Sequence, residues 1–427
     1  MAADEWVRDH ESMEDPEELN VMYCALDSFS QYSQNAHLNS THLRRRAFYA
    51  LPRAHWEMLA APPFNYLDTL ERVDDAIDSN AELARKIVEC GLRSSGLISP
   101  DRDPVVPEEW SGLAKANDTD KARSTIRQFY RDWSAEGQVE RDACYRPIFR
   151  ALKAEEVRKA RIASNGHPPD AMDEGDSILL EPSALKVLVP GAGLGRLVFE
   201  LCCLGYDTEG NEISYHQLFA SSYILNSCER AGQHTIYPWI HTFSNHRSRA
   251  DQFKGYRVPD IHPQEAMAEA REASGRVGSM SMCAADFLCA YGDDQHEGQY
   301  DAVATVFFLD TAPNLIRYLE VIRRCLRPGG VLINVGPLLW HWENHVPGHH
   351  GYDGDGDGGG DEDGSLGIAE PGSFELTDEE VVTLVEKLGF VIERKEGDIV
   401  APYIQDPKSM LQTVYRASHW IARKPET

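Results

Sequence analysis

Apolar positions change their period once along this chain. Up to about residue 160 they recur at helical spacing: Tyr145, Ile148, Phe149 and Leu152 fall at i, i+3, i+4 and i+7, one stripe on a helix that must pack against something larger. No alternating strand pattern interrupts that stretch. After Pro182, short β-branched runs alternate with helical stretches, the pattern of βαβ units on a parallel sheet. It predicts strands at 187–189, 206–211, 278–285, 302–309 and 331–335, the last after the Pro328-Gly329-Gly330 turn, and two final strands at 390–393 and 414–421. Helices are predicted at 197–204 and 214–231. Between the two regimes, 165–184 is linker-like, with Gly166, Pro168, Pro169 and a run of acids.

The expected organisation is therefore an acidic tail over 1–18, a helical region over 19–164, a linker over 165–184 and an α/β domain over 185–427. Two insertions break the α/β alternation. Residues 233–276 carry Tyr237, Trp239, His241, Phe243 and His246, too rich for a plain spacer; residues 347–364 are glycine and aspartate almost throughout, with too little apolar surface to order themselves. No internal repeat is found.

Composition narrows the classes. The 427 residues are 42% hydrophobic and 26% charged, enough to fill a core, and the formal charge of −27 opposes a broad grip on nucleic-acid phosphates or an anionic membrane. No apolar run reaches membrane-spanning length, and the acids Asp4, Glu5 and Asp9 replace the basic start of a signal peptide. The expectation is a soluble cytoplasmic protein, with the nucleus also open. Nine cysteines without a CxxC pair read as buried reduced thiols. Asp353, Asp355, Asp357 and Gly358 imitate the opening of a calcium loop, but Gly364 stands where its bidentate glutamate is needed, and His349 and His350 complete no ligand spacing. No metal site is expected.

The candidate chemistry centres on Val187-Leu188-Val189-Pro190-Gly191-Ala192-Gly193-Leu194-Gly195-Arg196, a GxGxG loop between a strand and a helix. Glycine there lets the backbone approach a ligand and adopt dihedrals that a side chain forbids. About 20 residues further on, at the end of the next strand, Glu212 can accept both hydroxyls of a ribose. The dinucleotide fingerprint GxGxxG would put its last glycine where Arg196 stands, which favours S-adenosylmethionine over NAD. Asp286 and Phe287 follow the third strand, where the one can accept from an adenine amino group and the other can flank the ring; a loop aspartate and a core phenylalanine would look the same.

Taken together, Gln128-Phe129-Tyr130-Arg131-Asp132-Trp133-Ser134, Glu140-Arg141-Asp142-Ala143-Cys144-Tyr145, the glycine loop, Gly210-Asn211-Glu212, Phe307-Phe308-Leu309-Asp310-Thr311-Ala312 and Gly336-Pro337-Leu338-Leu339-Trp340-His341 resemble the carnosine N-methyltransferase family. The resemblance runs from about Tyr32 to the C-terminus. It implies a class I methyltransferase fold, a Rossmann-like, mostly parallel seven-stranded sheet behind an N-terminal helical region, and methyl transfer from S-adenosylmethionine to an imidazole nitrogen, the π nitrogen, of a small histidine dipeptide. A homodimer is compatible with it. By motif, Gln128, Arg131, Gly191, Glu212, Asp286, Phe287 and Val306 are implied as cofactor contacts, Arg131 through the methionine carboxylate and Val306 through backbone only. Asp310, His341 and Tyr403 are implied as substrate residues, with His341 against the imidazole and Asp310 orienting it and stabilising the developing charge. Other readings stay open at this stage: a methyltransferase for another histidine-containing peptide or protein, a non-catalytic cofactor-binding scaffold, and a Rossmann oxidoreductase.

Overall fold

The computed structural model describes residues 16–96, 106–163, 185–345, 367–369 and 371–426. The linker at 165–184, the glycine and aspartate segment at 347–364 with its calcium-like opening, and all of the acidic tail before Pro16 lie outside the described residues. Helices α1 (Pro16–Ser30), α2 (Tyr32–His37), α3 (Leu43–Tyr49), α4 (Arg53–Ala60), α5 (Tyr66–Ser94), α6 (Ala116–Trp133) and α7 (Gln138–Ala163) come first. The α/β part follows as β1 (Lys186–Pro190), α8 (Arg196–Cys203), β2 (Asp207–Glu212), α9 (Tyr215–Ser222), β3 (His234–Ile236), α10 (Arg249–Gln252), β4 (Tyr256–Val258), α11 (Pro263–Ser274), β5 (Met280–Ala284), α12 (Phe287–Tyr291), β6 (Tyr300–Val306), α13 (Leu315–Cys325), β7 (Leu326–Gly336), α14 (Asp378–Lys387), β8 (Val391–Pro402) and β9 (Val414–Arg423).

Seven of these strands form one sheet in the order β5-β2-β1-β6-β7-β9-β8. The first five run parallel, and β9 lies antiparallel between β7 and β8. This is the class I methyltransferase arrangement, with all parallel carboxyl ends on one edge and the chain reversing direction across the sheet on either side of β1. Period-two alternation sends neighbouring residues to opposite faces. Val187, Val189, Ala302, Ala304, Val331 and Ile333 pack on one face with α7 and α8; Leu188, Val303 and Leu332 pack on the other with α12, α13 and α14. Burial on both faces is why these strands read as continuous apolar runs.

Several predicted boundaries shift for identifiable reasons. The strand expected to reach Leu309 ends at Val306, because Phe307 adopts left-handed backbone, φ +54°. The helix expected over 214–231 gives way after Ser222 to a π-helical turn, Tyr223–Ser227, and stops at Cys228. Strands β7 and β8 are longer than predicted; in β8, polar residues such as Arg394, Lys395 and Glu396 continue the ladder with β9.

The predicted apolar stripe on α7 is present: Tyr145, Ile148 and Leu152 are buried, Phe149 is half-buried, and all pack against the sheet. Full burial of a side chain of this size contributes about 1.5–3 kcal/mol. So α7, although it precedes the linker, covers a face of the α/β domain. The 233–276 insertion, expected to be more than a spacer, supplies the β3–β4 pair and shares a core with α1, α5, α6 and α9 through Ile236, Trp239, Ile240, Tyr256 and Val258.

A buried ionic knot joins these parts. Arg141 and Arg196 both pair with Asp260, at 3.0 and 2.5 Å; Arg141 also donates to the carbonyls of Arg131 and Ser134, and Arg196 to that of Asp132. Arg196 thus has a structural task where a dinucleotide fingerprint would carry glycine. Removing one member of such a network leaves an uncompensated buried charge, a cost of about 3–5 kcal/mol.

Candidate active site

The glycine loop leaves β1 at the carboxyl edge and turns into α8. Gly191, Gly193 and Gly195 all have left-handed backbone, and a Cβ on Gly191 would come within 2.7 Å of the Phe308 ring. The loop is fixed from below by Ala192 N–H donating to Asn211 O at 2.9 Å and from the helical region by Trp133 Nε1 donating to Leu194 O at 3.0 Å. Glu212, at the end of β2, is buried and faces the loop: its Oε2 accepts from Gly193 N–H at 2.9 Å, and its Oε1 accepts from the Ile213 and Ser214 N–H groups. Burial pushes its pKa up, and those three donors pull it back.

Asp286 stands at the end of β5, as predicted, and has local work. Its Oδ1 caps α12 by accepting from the Leu288 and Cys289 N–H groups, and its Oδ2 accepts from Ile368 N–H at 3.0 Å. Phe287 is buried against Tyr291, Phe308 and Tyr318, and Phe308 in turn lies against Gly191. Val306 is the half-buried last residue of β6, paired with Val335.

The helical region enters through α6. Gln128 accepts from Gln217 Nε2 at 3.2 Å, and the Gln217 amide lies beside Gly193. Arg131, one turn further along α6, has an 11% exposed side chain and two buried N–H groups, on Nε and Nη2, with no hydrogen-bond partner. Its guanidinium stands 5.1 Å from the Tyr403 ring and 5.5 Å from the Phe307 ring. Burial works against its charge, but the adjacent Asp132 carboxylate, at 3.8 Å, outweighs that and holds it cationic. A buried cation with unused donors can seat an anion such as a carboxylate.

Asp310 follows β6 and is 3% exposed; its Oδ2 accepts from Leu339 N–H at 2.8 Å, and its carbonyl accepts from His341 N–H at 3.1 Å. Burial raises the Asp310 pKa, opposed by the Leu339 N–H and by the nearby His341. The turn bearing His341 is pinned on both flanks: Trp340 Nε1 donates to Leu376 O and Trp342 Nε1 to Thr311 O. His341 itself is exposed. Tyr403 leaves the end of β8 and stacks on Phe307, centroids 5.0 Å apart, with Tyr415 edge-on to both. Burial raises its pKa; Arg131 opposes this, and Asp132, Tyr415 and Asp310 add to it.

The structure thus gathers Gly191, Glu212, Asp286, Val306, Asp310 and His341 on the carboxyl edge of the parallel strands, and it brings Arg131 and Tyr403 together from the flanks. Sequence reasoning missed Phe307 and Tyr415, which complete the aromatic wall around Arg131. Phe307 lies inside a motif singled out above, yet its left-handed backbone has no signature in an aromatic residue.

A family model described as "Carnosine N-methyltransferase" matches residues 108–167 and 171–426. The chain is 33% identical over 413 residues to the carnosine N-methyltransferase of Mus musculus, covering 94% of this chain and 85% of the mouse protein. It is 31% identical over 414 residues to that of Schizosaccharomyces pombe, covering 96% and 97% of the two chains. To "Carnosine N-methyltransferase unmet" of Drosophila melanogaster it is 35% identical over 381 residues, 84% of this chain and 71% of the fly protein.

Proposed function

The chain belongs to the carnosine N-methyltransferase family, and from that premise we propose that it methylates the imidazole π nitrogen through a substrate site made of Asp310, His341 and Tyr403. It is an enzyme that uses S-adenosylmethionine as methyl donor and carnosine as acceptor. The residues on the cofactor side fit such a donor. The glycine loop leaves backbone open to a ligand, Glu212 would hold the ribose hydroxyls, Asp286 the adenine amino group, and the two unused N–H groups of Arg131, with Gln128 beside it, the methionine carboxylate. Bound there, S-adenosylmethionine supplies a methyl group activated by a positively charged sulfur.

Everything else is done by the chain. An imidazole at pH 7 is largely neutral, so no strong base is required and positioning dominates. Methylation leaves positive charge on the ring, and the proton on the other nitrogen needs an acceptor that fixes the tautomer. Asp310 holds a buried carboxylate at the sheet edge for that purpose, and His341 contacts the ring from the turn bonded to it. The observation that carries this reading is the bond from His341 N–H to Asp310 O, which ties the ends of β6 and β7 into one corner beside Arg131 and Tyr403. Incubation with methyl-labelled S-adenosylmethionine and carnosine, with NMR of the product, should place the label on the π nitrogen; label on the amine or carboxylate rejects the reading.

We also assign the reaction to the cytoplasm, in keeping with nine free thiols. A homodimer through α4 completes the proposal: none of its residues is buried, its Met58 is 64% exposed, and exposed Tyr49 and Phe64 flank it in the chain. Sedimentation showing only monomer at micromolar concentration would remove the dimer.

A further inference from the structure

The connection from β8 to β9 carries Tyr403 and is held from outside the sheet. Ile404, the next residue, has left-handed backbone, φ +43°, which a β-branched residue adopts only under constraint. Three hydrogen bonds supply the constraint. Glu140, at the start of α7 and 3% exposed, accepts Ile404 N–H on Oε2 at 2.6 Å and Gln405 N–H on Oε1 at 3.2 Å. Arg127, on α6, donates from Nη2 to the Ile404 carbonyl at 2.7 Å. An ionised carboxylate can receive two successive backbone N–H groups, whereas an amide offers one acceptor oxygen. On the far side of the same connection, Met410 N–H donates to Asn245 O at 2.8 Å and Lys408 pairs with Asp251 at 3.0 Å, both partners belonging to the 233–276 insertion.

We propose that Glu140 and Arg127 are positioning residues for the acceptor substrate: by holding Ile404 in its strained conformation they set where the Tyr403 ring stands against Phe307, and so govern binding of the dipeptide in preference to the methyl donor. This rests on the assignment of Tyr403 to the substrate site. With the clamp gone, Ile404 relaxes toward ordinary backbone and the ring next to it leaves its stack.

The test uses the full chain and four variants, Glu140→Gln, Arg127→Met, Tyr403→Ala and the double variant Glu140→Gln/Tyr403→Ala, with carnosine kinetics, S-adenosylmethionine calorimetry and thermal melting. Glu140→Gln and Arg127→Met should each raise KM for carnosine about tenfold, the scale of losing hydrogen bonds to a charged group, with kcat and donor affinity within about twofold. In the Tyr403→Ala background, Glu140→Gln should add less than about twofold, because two changes acting through one element are not additive. A general folding defect would instead persist in that background and lower the melting temperature and kcat together. An unchanged KM in both clamp variants beside a raised KM in Tyr403→Ala overturns the positioning role alone, as does full additivity. A wild-type KM in Tyr403→Ala removes the substrate-site assignment and the positioning role with it. Should Glu140→Gln fail to fold, Arg127→Met decides the question.

Discussion

On the proposed cofactor side, the bond from Gly193 N–H to Glu212 spans 19 residues and joins the ends of two adjacent strands; on the proposed substrate side, the bond from Ile404 N–H to Glu140 spans 264. The first is internal to one βαβ unit. The second exists only after α6, α7, the sheet and the β8–β9 connection have all assembled. A site divided this way should lose its acceptor before its donor when the outer parts loosen, because the donor side carries its own scaffold. Gln128 and Arg131 cross the division, since both come from α6: Gln128 bonds to Gln217 beside Gly193, while Arg131 stands against Tyr403 and Phe307.

The largest effect expected is at the substrate corner. Asp310→Ala and His341→Ala should each lower kcat/KM by about a hundredfold or more, about 2.7 kcal/mol of transition-state stabilisation, with S-adenosylmethionine affinity nearly unchanged. In the proposed site, Asp310 meets the charge of methyl transfer only as the reaction proceeds, so the loss belongs in the rate more than in donor binding. Parallel losses of donor affinity in both variants would dissolve the division into two halves.

Next come two proposed donor contacts, one from the helical region and one from the glycine loop side. Arg131→Met should weaken S-adenosylmethionine binding by about 1.5–3 kcal/mol and Glu212→Ala by about 1–3 kcal/mol, the range for hydrogen bonds to charged groups. Calorimetry distinguishes them further. If Arg131 serves the carboxylate, donor analogues lacking that group should bind wild type and Arg131→Met alike but still discriminate against Glu212→Ala. An Arg131→Met variant with wild-type affinity would return the helical region to a purely structural part.

These differences explain which features were legible in the chain. The glycine loop, Glu212 and the first strand follow from local rules, a required backbone shape and a short β-branched run, and they stand where those rules put them. Asp310 and His341 were legible as residues but not as a joined corner, because the His341 turn depends on Trp340 and Trp342 reaching carbonyls 36 and 31 residues away. Phe287, implied as a cofactor contact by the resemblance, packs against Tyr291, Phe308 and Tyr318, a ring cluster that no local pattern announces. Glu140 opens one of the segments that carry the resemblance, with no role implied for it; nothing local distinguishes a glutamate that clamps a distant loop from one that is solvated on a helix. The polar strand β8 was underestimated because its pairing with β9, and not its composition, makes it a strand.

The smallest effect lies farthest from both halves, and it separates stability from site. His37, at the end of α2, bonds through Nδ1 to Asp74 and through Nε2 to Asp78, each at 2.8 Å, and Asp74 also takes Thr41 Oγ1 and Arg45. Burial works against the charged ring, but the hydrogen bonds and charges of Asp78 and Asp74 outweigh it, so its pKa is raised. A group whose pKa is higher in the folded than in the unfolded state adds stability that is complete below the unfolded value, about 6.5 for histidine, and is lost as pH rises through the folded value. The ring is about one-third exposed, so solvent screening keeps the contribution within about 1 kcal/mol. His37→Gln should therefore melt below wild type at pH 5.5, with the gap closing by pH 9, while KM for carnosine and donor affinity stay the same at pH 7.5. A gap that is constant with pH would mean the ring acts by packing and not by charge. A changed KM would mean that the α2–α5 contact reaches the substrate corner after all, and that the outer helices form one mechanical unit with the clamp.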